Sequence, residues 1–409
     1  MVHRRGVRSL ERRPQAGSGA ALTPAADCLA CRHRSLSRIV LCASAPVSAV
    51  WRERLGTFAS AVDTGDAVRL YAPLHPNREA PDAVKQRRTL VNRNVAAVAL
   101  ATTAVGIGVL TGRVVGRTQG ELSGFRSPEA ERRYIQAYEL VLAQWPVPYE
   151  ELTIPTSFGD TQVVASGDTD AQPLVLLHAT GTSSTGWLLN IGRLSSRHRV
   201  FAVDIIGEAG KSKQTRLLRD RRDCVQWLAS VLDGLGLRRT HVAGWSFGGW
   251  TALAFTIDEP QRVDKTVLLA PFGSLAPYAP AVLIFLKIGP YLPMGPPGSL
   301  ALRMMSPGYQ FDENFARQFI LGGRYFKAAD PRVSVFPKPF TEKELRSIGG
   351  PVQLMVGGGE STFDPHRAVN QAQRCIPDLH AQLVPDVGHM IAMEAADLVN
   401  DRMLRFLSD

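Results

Sequence analysis

Cysteine is scarce in this chain, with five in 409 residues. That number, widely spread, excludes a disulfide framework. Cys28, Cys31 and Cys42, with His33, form the one cluster of metal-ligand character. A structural zinc site needs a second pair of ligands at suitable spacing, and none follows. Cys224 and Cys375 fall far apart in predicted helices. Methionine is absent between Met1 and Met294. If translation starts at a non-methionine codon, for instance Val84, part of the leading arm lies outside the natural chain. Acidic residues are sparse at the front: residues 1–94 hold 16 Lys and Arg against 7 Asp and Glu, which leaves 31 against 30 for the remainder. The net charge of +10 therefore belongs to the arm. No nucleic-acid-binding module accompanies it, and no nucleic-acid partner is expected. No internal repeat is visible.

Residues 1–88 are rich in Arg, Ala, Pro and Ser without sustained periodicity and read as a disordered basic arm. Residues 95–112 carry no charge and are bracketed by Arg93 and Arg113. Their length suits a short membrane span or signal anchor. Lys85, Arg87, Arg88 and Arg93 upstream favour a cytoplasmic N-terminus, with the rest of the chain anchored at the membrane or exported. Two alternatives stand beside the anchor. One is the apolar region of a cleaved signal peptide. The other is a soluble Ala-rich helix, which would leave the protein cytoplasmic.

The remainder has the length and the ordinary apolar content, 45% over the whole chain, of a globular unit. Ser127-Pro128-Glu129 opens a helix over 127–145, with an N-cap serine, proline at the first position and acids in the first turn. Tyr134, Tyr138, Val141, Leu142 and Trp145 share one face, so this helix should dock on the body that follows. Strands are predicted near 151–156, 162–165, 174–178, 200–204, 241–243, 263–269, 352–356 and 381–384. Helices separate most of the later ones, which implies an α/β fold with a mainly parallel sheet covered on both faces. The pattern breaks over 272–348, a helical insertion between the core segments 149–271 and 349–409.

The most informative stretch is Gly244-Trp245-Ser246-Phe247-Gly248. A short buried strand precedes it and a small-residue helix follows. That strand–turn–helix context is what a nucleophilic serine requires, with glycines where neighbouring backbone passes close by. Such a serine needs a base and an orienting acid, which in this architecture follow in the order Ser, Asp/Glu, His. His389, after Gly388 at a predicted strand end, is the base. Glu360, at the end of the Val352–Val356 strand, is the favoured acid. Asp364 in the same loop and Asp386 before His389 are the alternatives. An oxyanion needs two backbone N–H donors in place. These would be Phe247 and, in the small-residue loop after Leu174–His178, Thr180.

With these motifs, and with Val203-Asp204-Ile205-Ile206-Gly207-Glu208-Ala209-Gly210-Lys211-Ser212, the chain from about Tyr149 to Asp409 resembles the α/β-hydrolase superfamily, most of all its bacterial carboxylesterase-type members. The resemblance implies a doubly wound sheet with 272–348 as a helical lid. It also implies ester hydrolysis through an acyl-enzyme on Ser246, with no cofactor or metal and a small-molecule ester as substrate. Trp187, Trp245, Phe285 and Tyr291 are candidate pocket residues, and Leu286, Met304 and Met305 add apolar surface to the lid. Haloalkane dehalogenases and epoxide hydrolases carry a carboxylate where Ser246 stands. The alternatives are cleavage of an amide, thioester or carbon–carbon bond, and a catalytically inactive binding protein. One departure concerns Ala179, where the family usually has glycine; a need for positive φ there would strain the oxyanion loop. The sequence assigns no oligomeric state.

Overall fold

A computed structural model describes residues 122–280, 282 and 298–408. The basic arm, the 95–112 segment, Phe285 and Tyr291 lie outside the described residues. Eight strands build the main sheet: β1 (Tyr149–Thr156), β2 (Gly159–Ser166), β3 (Pro173–Leu177), β4 (Arg199–Val203), β5 (Thr240–Trp245), β6 (Val263–Leu269), β7 (Val352–Gly357) and β8 (Leu379–Val384). Their spatial order is β1-β2-β4-β3-β5-β6-β7-β8. The pairs β1–β2 and β2–β4 are antiparallel, and all the others are parallel. The expected mainly parallel α/β sheet is therefore present. A two-residue strand, Lys213–Gln214, adds to β2.

The helices are α1 (Pro128–Leu142), α2 (Leu188–Leu194), α3 (Arg221–Gly234), α4 (Phe247–Asp258), α5 (Gly298–Met305), α6 (Glu313–Tyr325), α7 (Pro365–Cys375) and α8 (Ala396–Ser408), with shorter turns between them. Among the described residues, no helix is long and apolar enough to cross a membrane.

The sequence explains the layering. Leu174 to Leu177 in β3 have no exposure, and every residue of β5 is buried. A strand covered on both faces must be apolar along its whole length rather than alternating. Helix α4 is buried from Phe247 to Thr256, so it lacks a polar face and lies inside the molecule. The strand order reverses around β3 and β5: the chain leaves β3 for β4 on one side and β5 for β6 on the other. Their carboxyl ends thus frame the crevice in which ligands bind in such sheets.

Helix α1 starts where its capping residues dictate. The Ser127 side chain accepts the Ala130 N–H, and Pro128 and Glu129 fill the first turn. Tyr134, Tyr138, Val141 and Leu142 are fully buried against the body that carries the main sheet. Two of them are also polar anchors: the Tyr134 hydroxyl donates to the Ala209 carbonyl, and the Tyr138 hydroxyl pairs with Ser184 Oγ at 2.7 Å. The residues between β6 and β7 hold α5 and α6. Helix α6 lies against α1, with Gln318 Nε2 donating to the Tyr134 hydroxyl.

Leu142 and Leu140 differ only in the face they occupy, the first fully buried and the second 45% exposed. Leu142→Ala is expected to cost about 2–5 kcal/mol in denaturant unfolding, and Leu140→Ala within about 0.5 kcal/mol of parent. Equal effects would show that α1 is not seated through this face.

Candidate active site

The turn from β5 into α4 crowds three backbones together. A Cβ on Gly244 would overlap the Gly248 carbonyl, and one on Gly248 would overlap the Leu177 carbonyl. Between these glycines Ser246 adopts φ 56° and ψ −116°, a conformation L-residues seldom hold, costing about 1–3 kcal/mol. Neighbours fix it there. Its N–H donates to the Leu269 carbonyl, and its own carbonyl accepts from the Trp250 and Phe272 amides.

The loops after β7 and β8 meet this turn. Ser246 Oγ lies 2.8 Å from His389 Nε2, and His389 Nδ1 lies 2.6 Å from Glu360 Oε2. With the proton on Nδ1 donated to the carboxylate, Nε2 is free to accept from the serine. The other oxygen of Glu360 accepts the Thr362 N–H at 2.7 Å. All three residues are buried. Asp364 is elsewhere: it is the N-cap of α7, where its side chain accepts the Arg367 N–H, and it is exposed. Asp386 is also exposed.

The loop after β3 packs on the first turn of α4. His178 is fully buried; its Nδ1–H donates to the Ala179 carbonyl and its Nε2 accepts the Ile205 N–H. Burial lowers its pKa, which keeps the ring neutral in this tautomer. The Gly248 amide donates to the His178 carbonyl. Within the loop, Gly181 N–H donates to Glu208 Oε2 and Thr182 N–H to the Ala179 carbonyl.

A model of the alpha/beta hydrolase family matches residues 174–402. The uncharacterized carboxylesterase nap of Bacillus subtilis is 36% identical over 284 residues, covering 68% of this chain and 92% of its own. The chain belongs to the alpha/beta hydrolase family. Two crystal structures from the same organism are similar. Carboxylesterase CesB (YbfK) has 34% identity and a TM-score of 0.65, covering 68% of this chain and 98% of that one. Naproxen esterase (carboxylesterase NP) has 35% identity and a TM-score of 0.64, covering 69% and 99%. The protein is a carboxylesterase-like hydrolase.

The two tryptophan pocket assignments are corrected, and the condition placed on Ala179 is not met. Ala179 does not take positive φ. The left-handed conformation falls on Gly181 (φ +78°), and the described non-glycine residues with positive φ are Ser246, Ala270 and Asp386. Alanine in place of the family's glycine thus adds no strain of that kind. Trp187 and Trp245 have no exposure and so do not line an open pocket. They meet edge to face at 6.3 Å beneath the site, and Trp245 Nε1–H donates to the His389 carbonyl.

The sequence reading also missed the residues that hold the loop after β3. Asp204 is fully buried, and its carboxylate accepts the Ser184 and Lys211 amides at 2.7 and 2.8 Å. Gln318 of α6 accepts from Thr185 Oγ1 and donates to Ser183 Oγ. Glu208 takes the Gly181 N–H at 3.1 Å. These partners are distant in sequence, although the Asp204–Ser212 motif was itself visible.

Burial pushes the Glu208 carboxyl up to about 7, against the bonds from Gly181 and Thr180 that lower it. The fold therefore favours its protonated form. That contribution is complete below the ordinary value of 4.5 and is lost as pH rises through about 7. Glu208→Gln keeps an acceptor for Gly181 but never ionises. Its stability relative to parent is expected to rise between about pH 5 and pH 8, followed by thermal unfolding at each pH. A pH-independent difference would show that this carboxyl titrates normally.

Proposed function

We propose that the protein is a carboxylesterase that cleaves a small-molecule ester through an acyl-enzyme on Ser246. The observation that carries this reading is the unbroken, buried hydrogen-bond chain from Ser246 Oγ through His389 to Glu360. Ser246 attacks the ester carbonyl carbon as its proton passes to His389 Nε2. Glu360 keeps the ring in the required tautomer and offsets the imidazolium charge. The tetrahedral intermediate collapses with loss of the alcohol, which takes the proton from His389. Water, deprotonated by His389, then attacks the acyl carbon and releases the acid and Ser246.

Phe247 and Thr180 are the proposed oxyanion donors. Phe247 is the first residue of α4, where helix geometry leaves amides without internal partners and the dipole favours negative charge. In the facing loop Gly181 and Thr182 already spend their amides on Glu208 and Ala179, which argues for Thr180. The residues between β6 and β7 would act as the lid.

Ser246→Ala is expected to lower turnover of p-nitrophenyl acetate by on the order of 10^5-fold and to abolish labelling by a fluorophosphonate, with thermal unfolding unchanged. Undiminished labelling would remove Ser246 from the mechanism.

Glu360→Gln keeps the shape of the acid but not its charge. It should reduce kcat by on the order of 10^3- to 10^4-fold. Asp364→Asn should leave kcat near parent, because Asp364 caps α7. The reverse pattern would transfer the role of acid to Asp364.

A further inference from the structure

The carboxyl-terminal end of α5 is joined to both loops that carry the acid and the base. The last turn of a helix leaves carbonyls without internal partners. Here the Met305 carbonyl accepts the His389 N–H at 2.9 Å, and the Met304 carbonyl accepts from Ser361 Oγ, next to Glu360, at 3.2 Å. Gly388 is glycine because the chain at Met305 passes directly over it: a Cβ there would overlap the Met305 carbonyl. The amides on either side of His389 converge on one carboxylate. Gly388 N–H donates to Glu394 Oε2 at 2.9 Å, and Met390 N–H to Glu394 Oε1 at 3.1 Å. Ser306, the residue after α5, donates its hydroxyl to the same Glu394 Oε1 at 2.5 Å.

We propose that Glu394 and Ser306 form a latch that positions His389, so that the seat of the insertion on the core sets the geometry of the base. Neither residue reaches Ser246 or a substrate, so both are positioning residues. The arrangement holds His389 from the side opposite its ring. Its own N–H is fixed by Met305 and its carbonyl by Trp245, and its two neighbours are fixed by Glu394. Losing one of these bonds lets the ring rotate away from Ser246 Oγ without removing any group from the reaction. The Glu394 carboxyl is partly buried, and burial raises its pKa against the three donors, Ser306, Gly388 and Met390, that lower it.

This inference rests on His389 being the base, and the test separates the two. Ser306→Ala and Glu394→Gln are compared with parent by kcat per site, sites being counted by fluorophosphonate titration so that misfolded protein is excluded. With p-nitrophenyl acetate, Glu394→Gln is expected to lower kcat per site by about 10- to 100-fold, with KM within about two-fold of parent because no substrate contact is lost. Ser306→Ala should give a smaller loss of the same kind. The double variant should fall no further than Glu394→Gln alone, since both act through one carboxylate. Parent kcat per site in both single variants, or fully additive losses, would overturn the latch while leaving the Ser246–His389–Glu360 reading intact. If Ser246→Ala keeps its activity, that reading fails instead, and the latch with it.

Discussion

Backbone crowding at the carboxyl ends of β3 and β5 is the constraint from which the rest of the site follows. Leu177 of β3 lies in register with Gly244 of β5, and the first turn of α4 presses into the same space. No Cβ fits on Gly244 or Gly248 there. The chain can make the turn only if Ser246 accepts an unfavourable backbone conformation, and the neighbouring carbonyls and amides leave it no way to relax. The strain is held by strands whose carboxyl-terminal residues, 174–177 and 242–245, are apolar and buried. Because α4 begins at Phe247, the positive end of its dipole lies next to Ser246.

The sheet delivers the other two groups by the same logic. β7 and β8 are parallel neighbours with Gly357 opposite Val384, so the loops that leave their ends run side by side. The Gly359 N–H donates across them to the Val387 carbonyl. An isolated buried carboxylate would be costly. Glu360 avoids that cost by giving one oxygen to His389 and the other to the Thr362 amide. The order serine, acid, histidine along the chain reflects the order in which β5, β7 and β8 join the sheet.

How much of this could be read in the sequence depended on how local the constraint was. The elbow was legible because steric exclusion demands glycine at fixed offsets from one serine. The parallel sheet was legible because strands buried on both faces must be apolar throughout. Choosing between Glu360 and Asp364 was harder, since both follow the same strand. A signal was nonetheless present: Asp364 stands before Pro365, an N-cap followed by proline at the first helical position. Trp245 was misplaced because its position next to Ser246 does not say which side of the strand its ring takes, and Trp187 because the turn after β3 buries it against Trp245. Glu208 and Glu394 went unread because their meaning lies in amides and hydroxyls supplied by other loops. A carboxylate that accepts backbone N–H groups leaves no periodic trace in sequence.

The insertion between β6 and β7 touches both halves of the chemistry. Helix α6 braces the loop after β3: Gln318 bonds Ser183 and Thr185, and the Phe319 ring packs against Gly181. Helix α5 ends on the loops of Glu360 and His389. A segment that only covered a pocket would alter how tightly substrate is held, in ground and transition state alike. A segment that bears on both the proposed oxyanion loop and the proposed base alters groups whose alignment, in that mechanism, matters most when charge develops on the carbonyl oxygen and the imidazole. Variation in the insertion should therefore change turnover as well as substrate preference.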